Sequence, residues 1–182
     1  MRVIAGEHKS KLLETLDGRN TRPTMDKVKE GIFNSLYEFD GLGLDLFAGS
    51  GGLGIEALSR GMDKVIFVDQ NIKAVKVIEG NLRHLGITNC EVYKANADRA
   101  LKALHKREIQ FDLIFLDPPY QKRLIDKALK KIDAFDLLKK SGIIVCEFKQ
   151  KESIDIGNFQ EIRRYQYGQT ETMLLEKGER HV

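Results

Sequence analysis

Cysteine and histidine, the residues that most often hold metals or form cross-links, are scarce in this chain. Two cysteines, Cys90 and Cys146, and four histidines occur among 182 residues. Each cysteine lies beside or within an apolar, strand-like segment and neither belongs to a C-x-x-C pair, so we interpret both as reduced packing residues. The histidines are scattered along the sequence, which argues against a metal site.

Long apolar runs are also missing. No stretch approaches the roughly 20 residues that a membrane span requires, and residues 1–8 lack the apolar centre of a signal peptide. No internal repeat, low-complexity segment or linker interrupts the chain, and its 182 residues suit one domain with a good core. We therefore expect a cytoplasmic, monomeric protein in which residues 1–182 form one domain, with residues 1–23 as a basic N-terminal arm.

Positive charge is modest in amount but unevenly distributed. The net charge of +3 does not by itself indicate a nucleic-acid partner. Any one basic group fits an ordinary solvated surface, whereas clustering around a candidate site favours a polyanion. The clustered residues are Lys9, Lys11, Arg19 and Arg22 in the arm, and Lys122 and Arg123 farther along the chain.

Two of the three prolines stand together in the segment Asp117-Pro118-Pro119-Tyr120. This segment directly follows the apolar run 111–116, which is typical of a buried parallel strand. The prolines end the strand and stiffen the chain after it. A carboxylate, prolyl carbonyl groups and a phenol ring are thereby held at the carboxyl end of a strand, where open α/β sheets bind ligands. Such a group suits a planar base that carries an amine.

Segments with strand and helix character alternate after about residue 40. This alternation predicts a parallel sheet with right-handed crossovers and helices on both faces. The absence of a helix between the last two strands predicts that they form an antiparallel pair. The expected strands are 43–47, 64–68, 91–93, 111–116, 142–148, 159–166 and 172–176. The expected helices are 52–60, 71–85, 97–106 and 123–132, with an earlier helix that starts near Thr24 as its N-cap; before it, 2–5 and 11–13 are expected to pair as a hairpin.

A glycine loop, Gly49-Ser50-Gly51-Gly52-Leu53-Gly54, lies between the first strand and its helix. It fits the G-x-G-x-x-G fingerprint in the strand–loop–helix context that the fingerprint requires. Asp69 ends the second strand, at about the distance where an acid contacts ribose hydroxyls. Loop and acid together indicate an adenosine cofactor, but they do not distinguish a nicotinamide dinucleotide from another one.

S-adenosylmethionine suits the remaining residues of this sheet edge. Its amino-acid end needs polar groups near the first strand, which Asp45 and the 47–51 backbone could supply. Its adenine needs an apolar slot with an acid, which Ala97 and Asp98 offer, although Asp98 could equally be the N-cap of the next helix. The predicted cofactor residues are Asp45, Phe47, Ala48, Gly49, Ser50, Gly51, Asp69, Gln70, Ala97 and Asp98.

With these motifs in order, the chain resembles the class I S-adenosylmethionine-dependent amino-methyltransferases. The segment 22–28, Arg-Pro-Thr-Met-Asp-Lys-Val, followed by 45–57, Asp-Leu-Phe-Ala-Gly-Ser-Gly-Gly-Leu-Gly-Ile-Glu-Ala, narrows the resemblance to the RsmD family. These are bacterial small-subunit ribosomal RNA guanine-N2 methyltransferases. The resemblance spans nearly the whole chain. It implies a Rossmann-like class I fold with a mostly parallel seven-stranded sheet, an antiparallel final strand and a small N-terminal hairpin.

The resemblance also implies a reaction and the residues that perform it. A guanine splayed out of its stack would enter a pocket formed by Asp117, Pro118, Pro119 and Tyr120. Asp117 and the Pro118 carbonyl would accept the N–H groups of the amine, and Tyr120 would stack on the base unless it is a packing aromatic. The basic residues given above would hold phosphates of ribosomal RNA in the small subunit.

Other functions remain open at this stage. A related amino-methyltransferase could act on DNA adenine or on a protein glutamine. DNA enzymes with this motif usually carry a further recognition domain, however, and glutamine enzymes usually have Asn at the position of Asp117. A nicotinamide oxidoreductase would need a substrate domain and a general acid, and the chain offers neither. A non-catalytic RNA-binding module would not need the intact Asp117 cluster.

Overall fold

The computed structural model describes residues 1–16, 23–36, 39–119 and 123–179. Within those ranges seven strands form one sheet and five α-helices flank it. In chain order the elements are α1 (Pro23–Asn34), β1 (Leu42–Asp45), α2 (Gly52–Ser59), β2 (Lys64–Asp69), α3 (Ile72–His84), β3 (Cys90–Lys94), α4 (Ala97–Lys106), β4 (Phe111–Leu116), α5 (Leu124–Ala134), β5 (Leu138–Lys149), β6 (Phe159–Tyr167) and β7 (Thr170–Lys177).

The strand order confirms the predicted fold class. The sheet runs β3-β2-β1-β4-β5-β7-β6. Strands β1 to β5 pair in parallel, whereas β7 is antiparallel to both of its neighbours. Strand β1 lies between β2 and β4, so the chain reverses its winding direction at β1. In open α/β sheets the crevice beyond the carboxyl ends at such a reversal is where ligands bind.

Side chains alternate between the two faces of the sheet, and helices cover both. Leu44, Ile66 and Ile114 share one buried cluster with residues of α4 and α5. The intervening residues point the other way, so that Val65 and Phe67 pack with α1, α2 and α3. Each fully buried apolar side chain of this size contributes about 1.5–3 kcal/mol. The two clusters together fix the register that aligns the strand ends at the site.

Most element boundaries differ by one or two residues from the sequence-based prediction, and two starts differ for a physical reason. Helix α1 begins at Pro23, so Thr24 is its second residue and the prediction of Thr24 as N-cap was wrong. Proline suits the first turn because its fixed φ is helical and its missing N–H would have no partner there. Strand β5 begins at Leu138, earlier than predicted, since the irregularity between Phe111 and Leu113 lets it pair with β4 before the apolar run starts.

The described part of the arm folds back on itself and packs against α2. A single antiparallel bridge joins Arg2 to Leu12, as the predicted hairpin requires. At the turn, a Cβ on Gly6 would lie 1.9 Å from the Ser59 carbonyl oxygen, so only glycine allows this approach. The Glu7 N–H donates to that same oxygen at 2.8 Å. Within the ranges described, no helix has the length and apolarity that crossing a membrane requires.

Candidate active site

The glycine loop turns the chain sharply from β1 into α2. Gly51 adopts φ 84°, a left-handed conformation that glycine takes without strain, and stands directly before the first residue of α2. Gly54 lets the helix approach the sheet closely, because a Cβ there would lie 2.3 Å from Cε1 of Phe67. The loop backbone therefore lies at the carboxyl end of β1, where a ligand can reach it.

Asp69, at the end of β2, is bonded to the loop. Its Oδ2 accepts the N–H of Gly49 at 2.9 Å, and its Oδ1 accepts the N–H of Asn71 at 2.9 Å. The carboxylate thus joins the ends of two neighbouring strands at the predicted ribose position. Gln70, beside it, is exposed. Contact of either residue with a ribose stays a prediction.

Asp45 ends β1 and is buried, with 1% of its surface exposed. Its Oδ2 accepts the N–H of Gly54 at 3.0 Å. The pKa of Asp45 is raised to about 7, first of all by burial; the Gly54 hydrogen bond lowers it in part, and the negative charges of Asp117 and Asp69 add to the rise. The Asp45 carboxyl group therefore gains or loses its proton near neutral pH.

A cavity of about 180 Å³ opens at this edge of the sheet. The glycine loop and Phe47 line it from one side, and α1 and the arm contribute from the other. Three carboxyl groups reach it from three strands: Asp45, Asp117 and Glu147, called here the acidic cluster. Among the residues described, no group of three or more His, Cys, Asp or Glu side chains is arranged to hold a metal ion. The lining residues are Met1, Thr15, Leu16, Val28, Lys29, Asp45, Phe47, Ala48, Gly49, Ser50, Gly52, Leu53, Asp117 and Glu147.

The Asp-Pro-Pro segment follows β4 directly, as predicted. Asp117 is partly buried and lines the cavity, Pro118 is buried, and Pro119 is exposed. The structure therefore brings Asp117 to the same cavity as Asp45 and residues 47–50, as the sequence led us to expect. Other predicted site residues lie outside the described residues, namely Tyr120, Lys122, Arg19 and Arg22.

The predicted adenine contact, Asp98, lies at the start of α4. Asn96 caps this helix by accepting the Arg99 N–H at 2.8 Å, so the alternative role of Asp98 as N-cap was wrong. The Asp98 carboxylate instead pairs with Lys131 and with Lys102, which lower its pKa in that order. Asp98 does not line the cavity given above, and neither does Ala97. Their contact with adenine remains a prediction.

The basic residues that the structure describes lie at the surface. Lys9 and Lys11 are exposed on the folded arm. Arg123 is exposed in the residue before α5, in a left-handed conformation with φ 48°. Exposure leaves all three available to a polyanion, and their contact with RNA stays a prediction.

Sequence reasoning missed a second buried acid, Glu56 in α2, which is 0% exposed. Its two oxygens accept the N–H groups of Ile4 at 2.8 Å and of Ala5 at 3.2 Å. It also pairs with Lys29 Nζ at 3.3 Å and with Arg60 Nε at 2.8 Å. We call this group the arm anchor, because it joins the arm to α1 and α2. A charged residue within an apolar helix was the available signal.

Glu147, in β5, was also missed. It lies next to Cys146 in an otherwise apolar strand, and its side chain reaches the cavity and hydrogen-bonds to Asp117. Burial, then the charge of Asp117 and the hydrogen bond to it, raise the pKa of Glu147 well above its usual range. An acid inside an apolar run at the carboxyl end of a strand was the signal for this residue.

Comparison with known proteins gives consistent relatives. A family model described as "Conserved hypothetical protein 95" matches residues 1–176. The Bacillus subtilis (strain 168) protein named "Putative rRNA methyltransferase YlbH" is 46% identical, over 97% of this chain and 99% of its own. "Ribosomal RNA small subunit methyltransferase D" of Haemophilus influenzae is 34% identical, over 85% of this chain and 81% of its own. The solved structure of the Escherichia coli protein yhhF has a TM-score of 0.84, with 27% identity and 99% of each chain covered.

Proposed function

Because the chain belongs to the RsmD family, we propose that it methylates the exocyclic N2 amine of a guanine in small-subunit ribosomal RNA. Its relatives support the coarser statement directly: it is an rRNA methyltransferase that uses S-adenosylmethionine. The choice of guanine N2 is our proposal. The observation that carries it is the position of Asp117, which lines one cavity together with the glycine loop.

The residues at the cavity fit S-adenosylmethionine. A Cβ built on Gly49 would meet nothing within 4 Å, so space for a ligand lies above the loop. Phe47 and Leu53 offer apolar surface, and the acidic cluster offers negative charge to a sulfonium cation. Asp45, residues 47–51 and Asp69 with Gln70 would hold the cofactor, and Ala97 and Asp98 its adenine. When bound, the cofactor supplies a methyl group already activated by the positive charge on sulfur.

Asp117 and Pro118 would prepare the amine for transfer. The lone pair of a guanine amine is delocalised into the ring, which makes the nitrogen a poor nucleophile. If Asp117 and the Pro118 carbonyl each accept one N–H, the lone pair turns toward the methyl group. The same acceptors stabilise the positive charge that develops on nitrogen, without reorganising during the reaction. Asp117 would also take the proton that must leave.

The RNA must present the guanine outside its stack. Unstacking costs a few kcal/mol, and less in a loop or at an end. We propose that Tyr120 recovers about 1–3 kcal/mol by stacking on the base. Phosphate contacts from Lys9, Lys11 and Arg123, and from Arg19, Arg22 and Lys122, would make binding fall steeply with salt. Such contacts position the RNA but carry no sequence information.

The test compares two variants of the purified protein on small ribosomal subunits from a strain in which the gene is deleted. Methylated nucleotides are mapped by mass spectrometry after reaction with S-adenosylmethionine. Wild-type protein is expected to add N2-methylguanine. Asp117→Ala is expected to reduce the rate by at least about 10²-fold, because an acceptor for the reacting amine is lost. Its affinity for S-adenosylhomocysteine, measured by calorimetry, should be largely unchanged.

The control is Glu79→Ala, which removes an exposed carboxylate from α3. This variant should methylate at the wild-type rate. Methyl groups on an adenine or on a protein glutamine would establish the alternative substrate classes instead. Near-normal turnover by Asp117→Ala would remove Asp117 from the mechanism.

A further inference from the structure

Glu147 lies beside Asp117 because of the strand register. Leu116 of β4 pairs with Cys146 of β5, so the next residues of the two parallel strands are Asp117 and Glu147. Residues in register on neighbouring parallel strands point to the same side of a sheet. Both side chains accordingly line the same cavity. On the other side of β5, Glu147 pairs with Thr172 of β7, which is buried and carries no charge.

The two carboxyl groups are joined by a hydrogen bond. An ionised carboxylate only accepts hydrogen bonds, so a bond between two carboxyl groups requires one proton between them. Two neighbouring carboxyl groups lose their protons in two separate steps. The apparent pKa values of these steps belong to the pair and not to either residue. The raised pKa of Glu147, caused first by burial and then by Asp117, agrees with a proton held there near neutral pH.

Among the residues that the structure describes, three other charged groups line the cavity. Asp45 reaches the cavity from β1 and adds to the negative charge. Lys29 reaches it from α1, but its Nζ donates to the Arg2 carbonyl at 2.7 Å and pairs with Glu56 at 3.3 Å. The amino group of Met1, on the arm, has its pKa lowered by burial, which reduces its ability to compensate.

We propose that Glu147 is a positioning residue of the reaction: its protonated carboxyl donates a hydrogen bond to Asp117 and holds that carboxylate ionised and directed at the target amine. This inference rests on the proposed function. It assigns different protonation states to two neighbouring acids, a common way for a site to divide roles between carboxyl groups.

The proton balance of the transfer follows from this assignment. The lone pair of the amine nitrogen forms the new N–C bond, and the electrons of the broken S–C bond stay on sulfur. One proton of the nitrogen passes to Asp117, which is ionised and can accept it, while Glu147 keeps its own proton. If the pair holds two protons, Asp117 cannot accept. If it holds none, the two carboxylates repel each other and the orientation is lost. The rate should therefore fall at both acidic and alkaline pH.

The test uses Glu147→Gln, which retains an N–H donor toward Asp117, and Glu147→Ala, which removes it. Single-turnover rates are measured against pH on small subunits from the deletion strain. Glu147→Ala should be about 10²-fold slower, as expected when a reacting group is misplaced. Glu147→Gln should recover most of the wild-type rate. Its rate should not decline at alkaline pH, because an amide does not ionise. Affinity for S-adenosylhomocysteine should be unchanged in both.

A measurement without RNA separates this proposal from the proposed function. Carboxyl carbons of the wild-type protein and of Asp117→Asn are labelled with ¹³C and titrated by NMR. Glu147 should titrate well above its usual range in the wild type and at lower pH in Asp117→Asn. An ordinary titration of Glu147, a normal rate for Glu147→Ala, or no rescue by Gln would each overturn the positioning role. If Glu147 titrates as expected but wild-type protein methylates no RNA, the proposed function fails, and the reaction role of Glu147 fails with it.

Discussion

The acid of the arm anchor and the acids of the acidic cluster have contrasting surroundings. In the arm anchor, Glu56 receives two backbone N–H groups and two cations. In the acidic cluster, Asp45 receives one backbone N–H, and Asp117 and Glu147 hydrogen-bond to each other. Burial raises the pKa of Asp45 and that of Glu147.

The difference shows what each group of acids is for. A buried charge with a full set of partners is stable, and removing one partner is costly. Where burial outweighs the hydrogen bonds, as at Asp45, the pKa of the acid rises toward neutral pH, and such an acid can gain or lose a proton when a ligand binds. Acidic side chains thus have two roles beside α2: Glu56 holds the arm, and the acidic cluster forms the candidate reaction centre.

The largest expected effect comes from breaking the arm anchor. Glu56→Ala should lower the free energy of unfolding by about 3–5 kcal/mol, because Lys29 and Arg60 lose their buried partner. The measurement is urea denaturation at neutral pH, with Glu79→Ala as a control expected within about 0.5 kcal/mol of wild type. A loss as small as that of the control would mean that Glu56 is not the anchor.

Asp45→Asn should instead raise the free energy of unfolding. Asparagine keeps an acceptor for the Gly54 N–H but does not ionise. In the wild type, the pKa of Asp45 in the folded state is about 7, which exceeds the ordinary 3.8. The stability that Asp45 contributes is therefore fully present below pH 4 and is lost as pH rises through 7. The variant should therefore be more stable by about 2–4 kcal/mol at pH 8 and show no gain near pH 4. Thermal unfolding at both pH values would check this, and an equal effect at both would contradict it.

Glu91, whose partners are exposed, gives the smallest effect and sharpens the comparison. It pairs with Arg107 at 2.8 Å and with Lys64 at 2.7 Å, and the side chains of these two partners are 45% and 43% exposed. The Arg107 hydrogen bonds lower the pKa of Glu91 from 4.5 to about 2, so its contribution to stability is full above pH 4.5 and is lost as pH falls from there through about 2. Glu91→Gln should cost less than about 1 kcal/mol at pH 7, and less still in high salt. A cost as large as that of Glu56→Ala would show that partners matter more than burial.

The fold was predictable because its signals are local. Apolar runs such as 111–116 and 64–68 identified β4 and β2, and the helical spacing of Val75, Ile78 and Leu82 identified α3. The pattern did not predict that β5 begins at Leu138, because three polar residues, 139–141, separate Leu138 from the apolar run. It also placed the N-cap of α1 at Thr24, since a hydroxyl residue after a proline resembles a cap.

The site was predictable only where one segment carries it. The loop 49–54 and the motif at Asp117 can each be recognised from a few adjacent residues. Glu147 and Glu56 cannot be recognised in this way, because the role of Glu147 depends on the register of β4 with β5 and that of Glu56 on the return of the arm to α2. Asp98 lies after a strand, a position that suggested a ligand contact, and nothing local in the sequence indicated that Lys131 from α5 pairs with its carboxylate.

The attachment of the arm through Ile4 and Ala5 uses main-chain amides, which every amino acid but proline possesses. Side chains at these two positions are therefore free to vary without loosening the grip of Glu56. Related proteins could therefore change the side chains of the arm, and hence the surface that it offers to a partner, while the hydrogen bonds to Glu56 stay the same.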